Sequence, residues 1–224
     1  AQGGTIAFAR DEVQVSAARN EVIENQRYGV DELEFWDFRD TTMKHAHPPG
    51  ALAASFDPSC ARLQPAKLVR GLARVVESLG VKLFEETTVT KWQPRKAQFT
   101  SRTGTGTVRA ETLVLATEAY GSQLPGIGRR ILPLYSLMIA TEPLPDSFWN
   151  EIGIEHGQTF SDFRHLLIYG QRTADNRFAF GGRGARYHWG SSIRSEYDRV
   201  PRVFDHLAET LSELFPSAGD IRVT

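Results

Sequence analysis

The sequence predicts a mixed α/β (α+β) fold in which helices and strands alternate and one pair of strands forms a hairpin. Three observations support this class. Residues 65–79 carry apolar side chains at the spacing of one helical face. Residues 112–116 form a short apolar run, which is typical of a strand buried on both faces. Two β-type runs, 166–169 and 177–180, flank the turn-forming residues 173–176.

Start and stop residues define the helices in the first part of the chain. Residues 11–28 have a broken apolar stripe and are followed by Gly29, so they predict an amphipathic helix. The second helix, over 65–79, has proline in its first turn, where the missing N–H costs nothing, and Gly80 as its stop. A short strand is predicted at 51–56, between the two helices.

Further β-type segments follow the second helix. Short strands are predicted at 81–84 and 87–92, and two more β runs surround Gly104 and Gly106 before the apolar run at 112–116. Later in the chain we predict three further elements: a long β run over 131–141 interrupted by Pro133, a short helix or turn over 148–154, and a helix over 195–215 whose start Pro201 can displace.

Composition limits the classes of partner. The 224 residues include 26 basic and 27 acidic side chains, for a net charge of −1, so no field of one sign points to nucleic acid or to an anionic membrane surface. No apolar segment reaches the roughly 18 to 20 residues that span a bilayer. Cys60 is the only cysteine, which excludes an intrachain disulfide and favours a reducing, cytoplasmic location. Nothing in the composition indicates the oligomeric state.

Two features could indicate a metal site or a thiol nucleophile, but neither is a specific signal. His45 and His47 alternate as metal ligands on a strand would, but the following prolines mark a loop and no third ligand has matching spacing, so we predict no metal site. Cys60 could act as a nucleophile only with a histidine partner and an oxyanion donor, and it stays unassigned.

The order of elements from 56 to 124 carries a resemblance to a known family. Gly80-Val81, the phrase Thr87-Thr88-Val89, a β meander and an apolar run ending Ala116-Thr117-Glu118-Ala119-Tyr120 follow one another. This order resembles the middle of the FAD-dependent amine and amino-acid oxidoreductases of the D-amino-acid oxidase type, whose phrases there are G-V, T-x-V and A-T-x-A/G-Y.

Two later motifs extend the resemblance. The first, R-R-x-x-P-x-Y followed by A-T-E-P-L, runs from Arg129 to Leu144. The second resembles the hairpin of γ-glutamylputrescine oxidase-like and glycine oxidase-like enzymes, Y-x-x-R-x-T-x-D-x-R-x-x-F-G-G, and is matched here by Tyr169, Arg172, Thr173, Asp175, Arg177, Phe180, Gly181 and Gly182. Each motif is moderately specific, and their common order is the stronger signal.

The resemblance implies a domain organisation. Residues 1–40 and 56–125 would form part of a three-layer FAD-binding domain. Residues 41–55 and 126–215 would form a substrate domain with a mainly antiparallel sheet flanked by helices, and 216–224 would begin the return to the first domain. No G-x-G-x-x-G occurs in the sequence. We therefore expect an internal piece of a longer flavoenzyme, one that lacks the phosphate-binding loop and is colourless when isolated.

The resemblance also implies site residues. Backbone of Val89 would contact the adenine, Ala116 and Thr117 would lie along the ADP part of FAD, and Gly3 and Gly4 would lie near the flavin. For a small amine or amino-acid-like substrate we rank Arg183 first as the group that binds a carboxylate, then Tyr169 and His165 as hydrogen-bonding groups. No catalytic side chain is assigned, because the flavin carries the oxidation of the C–N bond.

Two alternatives remain open at this point. The chain could be a non-catalytic binding or interaction module with an oxidase-like substrate domain, or an unrelated α+β enzyme that uses Cys60 or the histidines. An upstream G-x-G-x-x-G in the gene would favour the oxidase. Activity without flavin that is lost on Cys60→Ser would favour the unrelated enzyme.

Overall fold

A computed structural model of the chain describes residues 2–40, 48–184, 186–219 and 221–223. His45 and His47 lie outside the described residues. The chain forms two compact units. The large unit comprises Ala1–Leu63, Tyr135–Ala185 and Asp198–Thr224, and the small unit comprises Gln64–Leu134 and Arg186–Tyr197.

The large unit is built on a seven-stranded mixed sheet. Its strands are β1 Thr5–Ala9, β2 Glu34–Asp37, β3 Ala53–Asp57, β7 Leu137–Ala140, β8 Thr159–Asp162, β9 Ile168–Arg172 and β10 Phe178–Gly182. Their order in the sheet is β2-β3-β1-β8-β9-β10-β7. The β1–β8 pair is parallel and every other neighbouring pair is antiparallel.

One face of this sheet carries the main core. Helices α3 (Asp146–Ile152) and α4 (Pro201–Leu214) belong to the same apolar cluster as this face, and α4 contacts β7 and β10. Phe178 lies within 4.6 to 5.8 Å of four other rings. The cluster is closed by buried leucines of α4, namely Leu207, Leu211 and Leu214.

Helix α1 (Glu12–Arg27) packs on the β1–β2–β3 end of the sheet. It begins after Asp11, whose carboxylate accepts a hydrogen bond from the Gln14 N–H at 2.8 Å, as expected of an N-cap. Val15 and Ala18 form a second, smaller buried cluster with Ala9 and Ala53.

The small unit contains α2 (Pro65–Ser78) and a three-stranded antiparallel sheet of β4 (Thr87–Gln93), β5 (Lys96–Ser101) and β6 (Gly104–Arg109). The Gln64 side chain caps α2 by accepting from the Lys67 N–H at 2.6 Å. No side chain of α2 is buried, although its apolar residues share one face.

Two predicted strands of the small unit are wrong. Residues 81–84 and 112–116 have no strand structure, and Phe84 and Val114 are 73% and 78% exposed. A strand requires a neighbour for its backbone hydrogen bonds. The sheet described in this unit consists of β4, β5 and β6, and neither segment pairs with it.

Two later elements are shorter than predicted. The run over 131–141 forms a strand only at Leu137–Ala140, because Pro133 has no N–H to contribute to a ladder. The last helix begins at Pro201, after a 3₁₀ turn at Ser195–Asp198. The predicted hairpin is confirmed, since β9 and β10 are paired along their whole length. Ile168 is aligned with Gly182 at one end, and Arg172 is aligned with Phe178 at the other.

The predicted α/β class, with a mainly antiparallel sheet flanked by helices, is confirmed. No described helix is both long enough and apolar enough to cross a membrane. The assignment of residue ranges to cofactor and substrate domains stays a prediction.

Candidate functional site

Four neighbouring strands of the large unit, β8, β9, β10 and β7, present a face opposite the aromatic core. Strand registers align Ser161 with Tyr169, Tyr169 with Gly181, and Gly181 with Met138. A second row aligns Thr159, Gln171, Ala179 and Ala140. Because side chains alternate along a strand, both rows lie on one side of the sheet, which we call the open face. Apart from the buried Gly181, its residues are half-buried or exposed, whereas the core-side positions of the same strands are buried.

Tyr169 occupies the centre of the open face and lies beside Gly181. A Cβ at Gly181 would come within 2.7 Å of both the Tyr169 ring and the Met138 Cγ, so only glycine leaves room for this pair. The Tyr169 hydroxyl is hydrogen-bonded to the Ser136 hydroxyl, which precedes β7. Ser136 also donates to the Gly182 carbonyl at 3.5 Å. These contacts fix the position of the phenol on the open face.

Arg183 extends the hairpin by one residue beyond β10. Its N–H donates to the Leu167 carbonyl at 3.0 Å, and its side chain is exposed. It follows Gly181 by two residues, the period at which strand side chains return to the same face. His165 lies in the loop between β8 and β9 and is also exposed. The structure therefore brings Tyr169 and Arg183 to the same end of the hairpin, and His165 lies on the loop that leads into it.

Other residues of the hairpin motif hold the turn. Arg172 is buried, with 7% of the residue exposed. Its guanidinium lies 4.8 Å from the centre of the Trp149 ring and donates twice to the Asn176 side-chain oxygen, at 2.8 and 3.0 Å. Burial lowers the pKa of Arg172 from its ordinary value. The Asn176 amide in turn donates to Asp146 at 2.8 Å. These bonds tie the turn to the start of α3.

The remaining polar motif residues act in the same turn. Arg177 donates to Asp175 at 2.7 Å and to the Thr141 carbonyl at 2.8 Å. Thr173 donates to Asp175 at 2.7 Å and accepts from the Arg177 N–H at 2.9 Å. Hydrogen bonds from Thr173 and then from Arg177 lower the pKa of Asp175. The motif that carried the resemblance is therefore mostly structural, and Tyr169 is its side chain on the open face.

Gly3 and Gly4 are required by packing within the large unit. A Cβ on Gly3 would lie 2.4 Å from the Gly157 carbonyl carbon, and Gly4 has a φ of +80° with the Phe56 ring 2.4 Å from its Cβ position. Gly4 also links two segments, since its N–H donates to the Cys60 carbonyl and its carbonyl accepts from Thr159, both at 3.0 Å. This local packing accounts for both glycines without a cofactor.

Val89, Ala116 and Thr117 lie in the small unit. Val89 is on β4, an edge strand, so backbone groups on one side of that strand have no partner strand among the described residues. A bulge shifts the register between Val89 and Lys91. Ala116 is exposed, and Thr117 precedes a 3₁₀ turn without a capping hydrogen bond from its side chain. An accessible backbone with small side chains is the chemistry that contact with an adenine or a diphosphate requires, so these three positions fit the FAD that the resemblance implies.

Cys60 is not set up as a nucleophile. Its Sγ donates to the Asp57 carboxylate at 3.4 Å, and burial, followed by this hydrogen bond, raises the pKa of the thiol. A raised pKa reduces the thiolate fraction on which nucleophilic reactivity depends. The Ser59 hydroxyl also donates to Asp57, at 2.6 Å, and this bond is the largest cause of the lowered pKa of Asp57.

Sequence reasoning missed Ser136 and Asn176. Ser136 meets Tyr169 across 33 positions of sequence, and no local pattern connects the two. Asn176 has a φ of +62°, in the left-handed region that asparagine adopts more readily than most residues. Its place in a turn-forming tetrapeptide was visible in the sequence, but its side-chain bonds to Arg172 and Asp146 were not.

Comparison with known proteins supplies the family. The family described as DAO, FAD dependent oxidoreductase, matches residues 1–224. A probable oxidoreductase OrdL of Haemophilus influenzae is 32% identical over 162 residues, which is 70% of this chain and 37% of the relative. The gamma-glutamylputrescine oxidoreductase of Escherichia coli is 27% identical over 181 residues, 80% of this chain and 42% of the relative. The chain thus spans less than half the length of these curated relatives.

Solved structures agree on the fold. The L-proline dehydrogenase of P. horikoshii has a TM-score of 0.73 at 15% identity, with 100% of this chain and 59% of that chain covered. The glycine oxidase of Geobacillus kaustophilus has a TM-score of 0.73 at 16% identity, with 100% and 57% covered. Because the family matches the whole sequence, the alternative of an unrelated α+β enzyme is excluded. The chain belongs to the DAO family of FAD-dependent oxidoreductases.

Proposed function

We propose that this chain is the central, substrate-facing part of a longer flavoenzyme that oxidises the C–N bond of an amine or an amino-acid-like substrate. The observation that carries the proposal is the open face: an accessible sheet surface, within a chain of an FAD-dependent family, that bears Tyr169, with Arg183 at the same end of the hairpin. The E. coli relative, whose name gives gamma-glutamylputrescine as its substrate, supports the substrate class.

The open face suits a neutral polar ligand. Its two rows contribute the hydroxyls of Thr159, Ser161 and Tyr169 and the amide of Gln171, but no charged side chain. Arg183, one step beyond the rows, supplies a positive charge for a carboxylate, and its planar guanidinium matches the two carboxylate oxygens. His165 is assigned a lesser role, as a hydrogen-bonding group on the loop before β9.

FAD, when bound, supplies the acceptor for the hydride equivalent removed from the carbon next to nitrogen. In this proposal the Val89 backbone contacts the adenine, and Ala116 with Thr117 lies along the ADP part. Gly3 and Gly4 lie near the flavin, in addition to their packing role. In this proposal the residues of this chain bind and orient the substrate and exclude water from it. None of them is required as a base when the amine arrives neutral.

The exposed apolar residues of the small unit also support a longer protein. Four apolar side chains on α2, Leu68, Val69, Leu72 and Val75, are between 48% and 64% exposed, and Leu79 at its C-cap is 77% exposed. An apolar helix face of this extent marks a surface that another part of a protein covers. A cytoplasmic location belongs to the same proposal and is supported by the single cysteine.

The test uses the full-length protein. We expect it to purify with flavin absorbance that survives gel filtration, and we expect a panel of amines and amino acids, added anaerobically, to bleach that absorbance. The 224-residue chain alone should be colourless. A full-length protein without flavin, or a flavoprotein that no amine or amino acid reduces, would contradict the proposal and favour a non-catalytic binding module.

Arg183 provides a sharper test. Arg183→Met should raise KM for carboxylate-bearing amines by about 10- to 100-fold, the range of a hydrogen bond to a charged group. It should leave amines without a carboxylate nearly unchanged. Arg186→Met, which removes another exposed arginine three residues away, is the matched control. Equal losses for both substrate types would remove Arg183 from the site.

A further inference from the structure

We propose that the three-stranded sheet of the small unit carries a binding site for a small multivalent anion, one with at least two phosphate or carboxylate groups. The site is the cavity beside the turn between β4 and β5, and Lys91 and Lys96 are its principal binding residues. The open face belongs to the large unit, so this site is a different one and does not depend on the oxidation proposed above.

Charge is distributed unevenly in the sequence of this sheet. The whole chain has 26 basic and 27 acidic residues, but residues 87–110, which include β4, β5, β6 and their turns, contain no aspartate or glutamate. The same range contains the basic residues Lys91, Arg95, Lys96, Arg102 and Arg109. The net charge of −1 therefore conceals a local excess of positive charge on this sheet.

Strand register brings three of these cations to one face of the sheet. Lys96 on the central strand is directly opposite Arg109 on β6 and diagonal to Lys91 on β4. Like charges directly opposite one another destabilise a sheet. Arg102 lies at the other end, where it pairs with Glu86 at 3.8 Å, but within the described residues the three cations have no ion pair. A bound anion would relieve this repulsion.

A cavity of about 370 Å³ lies at this basic end of the sheet. Its volume is in the range of sites that bind small molecules. Six residues line it: Lys91, Trp92, Gln93, Lys96, Gln98 and Pro125. Gln93 is opposite Lys96 and Gln98 is opposite Lys91, so the two amides and the two ammonium groups lie on the same face. The Trp92 N–H donates to the Pro125 carbonyl at 3.0 Å, which holds the Pro125 segment beside β4.

The donor groups of this lining fit an anion. A lysine ammonium has three N–H donors and no acceptor, and a glutamine amide has two N–H donors. Two lysines and two amides can therefore bind several anionic oxygens at once, and the lining contains no carboxylate that would compete for the lysines. Lys96 is half-buried and Lys91 is exposed. We expect Lys96 to contribute more, because water and salt screen a partly buried charge less.

The experiment measures the binding of inorganic pyrophosphate, citrate and acetate to the full-length protein by isothermal titration calorimetry. We expect pyrophosphate, citrate or both to bind at one site, and acetate, which has a single carboxylate, not to bind at the same concentration. Binding of only one multivalent anion would identify the anionic group that the site prefers. Lys96→Gln should weaken binding about tenfold, and Lys91→Gln should weaken it about two- to fivefold.

Two exposed lysines of the small unit that do not line the cavity provide matched controls. Lys67→Gln and Lys82→Gln remove the same charge and should bind the anion as the wild type does. Lys96→Gln removes a like-charge pair, so it should not destabilise the protein, and circular dichroism checks this. Flavin absorbance recorded before and after each titration separates this site from that of the cofactor.

Four results would overturn the proposal. They are the absence of binding for both multivalent anions, equal weakening in site and control variants, binding that releases flavin, and acetate binding as tight as that of the multivalent anions. Tighter binding of a single-stranded oligonucleotide than of either small anion, lost in the same two variants, would replace the small-anion site by a nucleic-acid surface.

Discussion

The two units of this chain use their apolar residues differently. Among the described residues, the buried apolar side chains lie in the large unit, apart from Ala97 and Pro133, and its aromatic rings pack between the sheet and α4. The small unit has an equally clear apolar pattern on α2, yet that face is exposed. An apolar sequence pattern therefore identifies the helix face that requires burial, but it does not show whether residues of the same chain pack against that face.

Removal of one phenylalanine ring from each unit should give the largest difference between the units in the free energy of unfolding. Phe178 is fully buried among Phe148, Trp149, Phe160 and Phe215, so Phe178→Ala should lower the free energy of unfolding by about 3–5 kcal/mol. Phe84 is 73% exposed, so Phe84→Ala should change it by less than about 0.5 kcal/mol in the 224-residue chain. Urea denaturation followed by circular dichroism measures both.

The same pair in the full-length protein tests the explanation. If a further part of the protein covers the apolar residues of the small unit, Phe84→Ala should become destabilising by several times its value in the 224-residue chain, whereas Phe178→Ala should change little. An effect of Phe84→Ala that is equally small in both proteins would show that the small unit keeps its apolar surface exposed, and it would remove one support for a longer flavoenzyme.

The same contrast explains what the sequence could predict. The hairpin was predictable because its signals are local: alternating apolar residues on both sides of a turn-forming tetrapeptide, whose bonds close within a few positions. The strand at 112–116 was not, because a strand is defined by its neighbour, and composition does not identify a neighbour. The bounds of helix α2 were predicted to within one residue, whereas the exposure of its apolar face could not be predicted, for the same reason.

The residues of the candidate site also differ in whether the sequence could predict them. Tyr169 and Arg183 were selected through motifs of a family, and the structure places them at one end of the hairpin. Ser136 could not be selected, since its contact with Tyr169 depends on the order of β9, β10 and β7 in the sheet. Most polar residues of the hairpin motif proved to hold the turn, so a family motif here identified structure more than chemistry.

The turn of the hairpin gives the second prediction, of intermediate size. Asn176→Ala removes the bonds to Arg172 and Asp146 and forces alanine into a φ of +62°, whereas Asn176→Gly removes the bonds alone. We expect Asn176→Ala to lower the free energy of unfolding by about 2–3 kcal/mol and to be worse than Asn176→Gly by about 1 kcal/mol. Denaturant titration of the two variants measures the difference.

The control lies in the small unit. Arg95 also has a positive φ, +65°, in the turn between β4 and β5, but its exposed side chain has no hydrogen bond of the Asn176 kind in the described part of the chain. Arg95→Gly should therefore be neutral or slightly stabilising. A cost for Arg95→Gly comparable to that of Asn176→Gly would mean that the turn bonds contribute little and that backbone conformation alone explains both sites.

The smallest predicted effect concerns acid. The carboxyl groups whose pKa is lowered, Asp37, Asp57 and Asp175, all lie in the large unit among the described residues. A carboxyl whose folded pKa lies below its unfolded value stabilises the fold above the unfolded pKa, and this stabilisation is lost as pH falls through the folded value. Acid should therefore weaken the large unit first, below about pH 4.

Asp57 allows this assignment to be checked residue by residue. Asp57→Asn should lower the free energy of unfolding at pH 7 by less than about 1 kcal/mol, because the carboxylate is partly exposed, and it should flatten the pH dependence below pH 4. Ser59→Ala, which removes the main cause of the lowered pKa, should flatten it in the same direction. If neither variant changes the pH dependence below pH 4 and the small unit unfolds first, the lowered pKa values of these carboxyl groups do not determine the acid stability of the chain.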